Sequence, residues 1–414
     1  MSTKIKSKES RHGGMQTSDW QGEPNPPGRI GVSLSGGGHR AALFSAGAIA
    51  ALIDAGLADE VVWIASASGG SLLNGLLATS GGMNGADPDR LVRSTLAATT
   101  TDPSSRLAWL RSCATYASSK LMERRIDRIW LGGNQVDIAS CSAASGTSGA
   151  HHVILAVDLC SLQPVYLSGD FIVSNGLSGE DPLAVTPAPG ALSLARAVRS
   201  SAAFPMALPS VRLPIKALGE VHESSDGDCL VLSDGGLWSN LATSWYSAGR
   251  PLAWKVEPPM PSEAFDVDLH LVVDASAPPK RSTGRWYTRP GAGRIGSAMR
   301  SGQAMLQSTI EHQRADVGRY AQWNPGGDYS HVHLGRSPAD VCPRSALMES
   351  LGGSKLSWSE TRNRARAVST TLGPVDREDA LALVALGYGL TSAHLTGGWS
   401  IPFCHFSDPF RRFS

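Results

Sequence analysis

The stretch from Arg29 to Ser80 constrains the chain most. It reads RIGVSLSGGGHRAALFSAGAIAALIDAGLADEVVWIASASGGSLLNGLLATS. A short apolar run, Ile30 to Leu34, ends in the triplet Gly36-Gly37-Gly38, and a small-residue helical run follows from about Arg40 to Ala55. A second run rich in β-branched residues, Val61 to Ile64, ends in Ser66-Ala67-Ser68-Gly69-Gly70 and leads into a second helical run, about Gly69 to Ala78. Apolar runs of this length bounded by glycine and followed by helices read as buried strands of a parallel sheet, with helices on both faces. The first strand-to-helix junction is rich in free backbone N–H groups. The second presents serines at a tight turn. Together they point to acyl chemistry, with a backbone anion cradle beside a nucleophile.

The strand-and-helix pattern continues down the chain. Asp89 to Ala98 and Arg106 to Trp130 have helical spacing, and Gly81 to Asp87 and Gly132 to Gly149 read as loops. His152 to Val157 is a strand ending at Asp158, and Pro164 to Leu167 is placed to be its hairpin partner. Leu192 to Ala203 reads as a helix stopped by Phe204-Pro205. Leu230 to Leu232, Leu269 to Val273 and His331 to Leu334 are further short strands. Arg294 to Tyr320, Glu360 to Thr371 and Asp376 to Leu390 have helical spacing. No fixed-period repeat and no linker follow Gly28. The expected organisation is a flexible tail over residues 1–28 and one domain over 29–414.

Composition excludes several classes. The hydrophobic share of 42% and charged share of 18% are those of a globular chain. A formal net charge of +1 gives no electrostatic case for nucleic acid. The six cysteines are scattered without C-x-x-C spacing, which favours reduced thiols over a disulfide framework or a zinc site. The N-terminal stretch lacks the apolar core of a secretory signal, and no run approaches the ~18 uninterrupted apolar residues of a membrane span. These features favour a cytoplasmic location.

Each candidate site has a plain reading beside the chemical one. A nucleophilic serine needs a base and a sharp turn with small neighbours two places to either side. Ser68 has Ser66 and Gly70 there; Ser66 and Ser71 lack that symmetry. The plain reading is a Ser/Gly loop capping a helix. The glycine triplet is otherwise a turn or a phosphate loop, but its glycines are consecutive and no Gly-Lys-Ser/Thr follows. Its N–H groups suit an oxyanion. Arg40 is placed either to hold that loop or to meet a phosphate. Ser233-Asp234-Gly235-Gly236 puts Asp234 at a strand end, where α/β sites collect; an ordinary Asp-Gly turn is the alternative. Eleven histidines are present, among them His39, His151, His152, His270 and His394, and none stands in a catalytic context.

The order SGGGHR, SASGGS, SDGG resembles the patatin-like phospholipase family, which includes the catalytic domains of cytosolic phospholipases A2. Gly36, Gly37, Gly38 and Arg40 match that family's oxyanion loop. Ser68 and Gly70 match its nucleophile turn, and Asp234 and Gly235 its aspartate motif. VILAVDLCSLQPVYLSG, ARAVRSSAAFPMALP and Asn240 are weaker echoes. Ser66 departs from the family's first glycine, and Leu241 stands where proline often follows the asparagine.

The resemblance implies a three-layer α/β/α fold with a mostly parallel central sheet. It also implies a Ser68–Asp234 dyad without histidine, an oxyanion hole from Gly36, Gly37 and Gly38, and no metal or cofactor. The implied substrates are phospholipids or lysophospholipids, and an activating partner is left open. The segment 280–300 contains Lys280, Arg281, Arg285, Arg289, Arg294 and Arg300 with Trp286 and Tyr287, and is the expected site of any peripheral membrane contact. The Phe-rich tail, Trp399 to Phe413, reads as a strap packed on the domain. Two other readings stay open: an esterase with a Ser-His-Asp triad, and a non-catalytic anion-binding regulator or scaffold.

Overall fold

A computed structural model describes residues 27–100, 117–143, 149–175, 182–205, 208–223, 229–256, 265–277, 292–323, 328–352, 355–370 and 372–414. At its centre lies an eleven-stranded mixed sheet. Five strands run parallel in the order β11 (Asp328–His333), β10 (Leu269–Asp274), β1 (Ile30–Leu34), β2 (Val61–Ala67) and β3 (His151–Asp158). Beyond β3 the sheet turns antiparallel through β4 (Gln163–Leu167), β5 (Ile172–Ser174), β6 (Leu183–Pro187) and β8 (Gly219–Glu223). β7 (Val211–Pro214) pairs with β9 (Cys229–Asp234), and β9 pairs with β3.

Alternation along the strands covers both faces of the sheet. Ile64 and Ile154 enter one buried cluster. Trp63, Ala65, Ala67, Val153 and Leu155 enter a second, with Tyr166, Phe171, Trp245 and Phe265. Because successive side chains of a strand point to opposite faces, β2 and β3 are buried on both sides. The result is a three-layer α/β/α arrangement with mostly parallel central strands.

The larger cluster is built around α1 (Gly38–Asp54) and a long C-terminal helix, α8 (Arg377–Trp399). Between them in sequence come α2 (Gly69–Thr79), α3 (Pro88–Thr100), α4 (Ala117–Trp130), α5 (Leu194–Ser201), α6 (Ala292–Trp323) and α7 (Lys355–Ala367). α1 and α8 cross with backbone almost in contact. A Cβ on Gly47 would overlap Val384 O, and one on Gly387 would overlap Phe44 O. Small residues are thus required at this crossing of two helices, whereas the run of small residues after Gly38 reads in sequence as packing on the sheet. α8 is the one helix among the described residues long and apolar enough to cross a membrane, and 83% of its most apolar window is buried inside the protein.

The tail does form a strap. Phe406 and Phe413 are buried, and both pack edge-on against Tyr388. Arg412 pairs with Asp54 at the end of α1 and with Asp89 at the start of α3. Tyr388 Oη donates to the same Asp54 carboxylate at 2.6 Å.

Several local expectations need correction. Gly81 to Asp87 is not wholly a loop, since Gly82–Gly85 makes one helical turn. α8 runs nine residues past Leu390, to Trp399. The short strands β5 to β8 were not anticipated; β7 alternates, with Val211 and Leu213 buried and Arg212 exposed, but over only four residues. The first part of Arg106 to Trp130, residues 106–116, lies outside the described residues. So do Lys280, Arg281, Arg285, Trp286, Tyr287 and Arg289 of the segment considered for membrane contact.

Candidate active site

β3 is the ruler on which the site is assembled. Its one edge pairs with β4 from Ile154 to Asp158. Its other edge is shared by two strands. β2 runs parallel along the first half and ends at Ala67, opposite Leu155. β9 runs antiparallel along the second half and ends at Asp234, opposite Ala156. The two strands therefore meet head-on, their ends facing adjacent residues of β3. Residues 166 positions apart are thereby brought together: Ser68 Oγ donates to Asp234 Oδ2 at 2.8 Å.

Ser68 sits on a strained turn. Its φ of 49° and ψ of −117° are unusual for a residue with a side chain, and such strain collects at functional turns. The neighbours explain how the turn is tolerated. A Cβ on Gly70 would stand 2.7 Å from Leu34 O, and one on Gly69 would overlap the backbone of Gly38. Ser66, where the family pattern has glycine, fits because its hydroxyl is absorbed. It donates to Val153 O at 3.2 Å and accepts from Ser71 Oγ at 3.0 Å and Asn74 Nδ2 at 2.9 Å.

Asp234 is buried. Its second oxygen, Oδ1, accepts the Gly236 N–H at 2.7 Å. Burial raises its pKa to about 6, against the opposing pull of its hydrogen bonds from Ser68 and Gly236. Gly235 is required because a Cβ there would overlap Leu155 O.

The glycine triplet divides its labour. The Gly36 N–H is not free for a substrate, since it donates to Asn240 O at 2.7 Å. This corrects the expectation that all three glycines offer donors. Gly36 is instead a close-approach position: a Cβ there would stand 2.5 Å from Asn240 Oδ1 and 3.2 Å from Ser68 Cβ. The N–H groups of Gly37 and Gly38 make no hydrogen bond among the described residues. They sit at the positive N-terminal end of α1, with φ of +138° at Gly37 and +62° at Gly38. Asn240 Nδ2 braces the loop by donating to Ser276 Oγ at 3.0 Å. Leu241 spends its N–H on Gln313 Oε1 at 3.2 Å, a bond that a proline at this position would forfeit.

Arg40 is a structural cation. It is buried, and its Nη1 donates to Val368 O at 3.0 Å.

No histidine hydrogen-bonds to Ser68 or Asp234 among the described residues. His270 pairs with Ser33 Oγ at 2.9 Å, and His39 with Gly373 O at 2.8 Å. His152 meets Asn74 Oδ1 at 2.7 Å.

Ser201, at the end of α5, is a hub; it stands at the serine of the Arg-x-Ser-x-Ala-x-Pro echo (Arg199, Ser201, Ala203, Pro205), to which no role was assigned from sequence. Its Oγ accepts the Ser68 N–H at 3.0 Å, lies 2.9 Å from Ser71 Oγ, and donates to Leu155 O at 2.5 Å. Its backbone carbonyl accepts the Gly235 N–H at 3.1 Å. One residue therefore grips both halves of the site. The signal lay in RSSAAFP, where the Arg-x-Ser-x-Ala-x-Pro spacing separates Ser201 from Ser200, but the string does not tell that this serine faces β3. Ser201→Ala is expected to lower kcat roughly tenfold with KM nearly constant, because it loosens the Ser68 turn while leaving Ser68 and Asp234 in place. Steady-state kinetics on a short-chain ester checks this, and an equal change in KM would contradict it.

The patatin-like phospholipase profile matches residues 32–244, which include the glycine triplet, Ser68 and Asp234. Among solved structures, human GIVD cytosolic phospholipase A2 aligns over 93% of this chain and 60% of its own, at 14% identity and a TM-score of 0.52. That likeness is one of fold, and this chain spans well under two thirds of the human one. The same human protein in complex with methyl gamma-linolenyl fluorophosphonate aligns at 15% identity and a TM-score of 0.49, over 93% of this chain and 59% of that one. VipD from Legionella pneumophila aligns at 14% identity and 0.35, over 89% of this chain and 66% of its own. No curated protein sequence gives a significant match. With half its length under that profile and all three motifs in place, the chain belongs to the patatin-like phospholipase family.

Proposed function

We propose that this chain is a lipid acyl hydrolase that cleaves fatty-acyl esters of phospholipids or lysophospholipids through a Ser68–Asp234 dyad. The observation that carries this reading is the direct 2.8 Å bond from Ser68 Oγ to a buried carboxylate. A serine hydroxyl is a weak nucleophile until a neighbouring base takes its proton. In the first step Ser68 Oγ attacks the ester carbonyl while its proton passes to Asp234 Oδ2. The tetrahedral oxyanion is held by the Gly37 and Gly38 N–H groups at the N-terminus of α1. Asp234 returns the proton to the departing alcohol. Water, deprotonated by the same carboxylate, then hydrolyses the acyl-enzyme.

The raised pKa of Asp234 makes it a better base than a free carboxylate and gives the enzyme a pH signature. The base form is the carboxylate, so activity is present above the pKa and lost as the group protonates below it. kcat/KM should be flat at neutral pH and fall tenfold per unit below a midpoint of about 6. A midpoint near the ordinary carboxylate value of about 4 would contradict a desolvated base.

The reading is tested by incubating the protein with vesicles of phosphatidylcholine, phosphatidylglycerol and lysophosphatidylcholine and measuring fatty acid by mass spectrometry. Release by the wild-type chain that Ser68→Ala lowers by about 10³-fold or more supports it. Release that survives Ser68→Ala overturns it.

A further inference from the structure

A cleft adjoins the site on the α4 side. Its wall includes His39, Leu72, Met122, Arg125, Trp130 and Leu372. Three of its lining residues neighbour site groups. His39 follows Gly38, Leu72 lies one turn beyond Ser68 on α2, and Ala202 follows Ser201. Most of the wall is apolar, which suits an acyl chain. Two basic residues break that pattern.

His39 is not the cation of this cleft. Its Nδ1 is committed to Gly373 O at 2.8 Å, and burial, aided by the nearby charge of Arg125, lowers its pKa to about 4. It is neutral at neutral pH. Arg40 is not the cation either, since it is buried behind the glycine loop and bonded to Val368 O. Arg125 differs from both. It lines the cleft, is half-buried, and makes no hydrogen bond or ion pair among the described residues. Its planar fork is suited to phosphate.

We propose that Arg125 pairs with the phosphate of the substrate, so that the cleft selects acyl lipids bearing a phosphate over neutral glycerides. This rests on the hydrolase reading above and sharpens it. The acyl chain lies against Leu72, Met122 and Trp130, and the phosphate sits at the Arg125 guanidinium.

Two measurements test it. The first compares kcat/KM for oleoyl lysophosphatidylcholine with that for oleoyl monoglyceride. Arg125→Gln should lower this ratio roughly 10- to 100-fold, the worth of a charge-assisted hydrogen bond, chiefly through KM, and Arg125→Lys should restore part of it. An unchanged ratio, or equal loss on both substrates, overturns the proposal. The second is equilibrium binding of hexadecyl phosphate, palmitate and hexadecanol to Ser68→Ala protein, with and without Arg125→Gln. Selective weakening of hexadecyl phosphate supports the proposal. Selective weakening of palmitate would assign Arg125 to a carboxylate and overturn it, as would no weakening at all. The binding arm decides the matter even if the wild-type chain releases no fatty acid, in which case the hydrolase reading fails by itself.

Discussion

Asp234→Asn is expected to lower ester hydrolysis about 10³- to 10⁴-fold while leaving the fold intact. Asparagine has the same shape, and its one oxygen can still accept the Gly236 N–H that Asp234 Oδ1 now takes at 2.7 Å. Its amide group then faces Ser68 Oγ and donates where the carboxylate accepted. The serine proton has no base to receive it. The loss should appear in kcat, and because no buried charge remains to be titrated, the acid limb near pH 6 should vanish with it. Near-unchanged kcat, with a normal melting curve, would mean that the base is some other group.

The second large effect is on stability. Gly387→Ala adds one methyl group at the crossing of α8 with α1, where it would overlap Phe44 O. The obstacle is backbone of a buried helix, so it cannot rotate away as a side chain would. The helices must separate, and the core between them must loosen. We expect a cost of about 2–4 kcal/mol and a melting temperature lower by several degrees. Gly302→Ala is the matched control. It lies on α6 with nothing within 4 Å of the added Cβ, and should be neutral or gain up to about 1 kcal/mol from helix propensity. Thermal unfolding of both variants separates overpacking from a general effect of losing glycine.

What could be read from the sequence follows the physics of each element. β1, β2, β3 and β10 are buried on both faces, so their continuous apolar runs announce them. The glycines of the site were legible because close backbone approach admits nothing larger. Most of the antiparallel arm was silent. β5 has three residues, and β7 ends in proline. β8 opens on a glycine whose Cβ would overlap Thr186 O. Such strands are set by their neighbours in the sheet rather than by local pattern. α8 outran its expected end because Thr391, Ser392 and Thr396 are buried against the core, and packing overrides their weak helical preference.

The site divides in the same way. Ser68 and Asp234 stood out by motif, but the strand-end encounter along β3 that joins them is a property of topology. The commitment of the Gly36 N–H to Asn240 O depends on a residue 204 positions away. No local reading could have separated Gly36 from Gly37 and Gly38. Ser201 was marked by the Arg-x-Ser-x-Ala-x-Pro spacing but not by its contacts, and Arg125 carried no motif at all. Its interest comes from the cleft it lines and from the commitments of His39 and Arg40.

The central claim is that Ser68 is a nucleophile activated directly by Asp234. The most direct measurement is covalent labelling with a fluorophosphonate, with the modified residue located by peptide mass spectrometry. The account predicts a single adduct on Ser68, formed by the wild-type chain, absent in Ser68→Ala, and formed at least about 10²-fold more slowly in Asp234→Asn. An adduct on another residue, or labelling of Ser68 at an unchanged rate in Asp234→Asn, would contradict it.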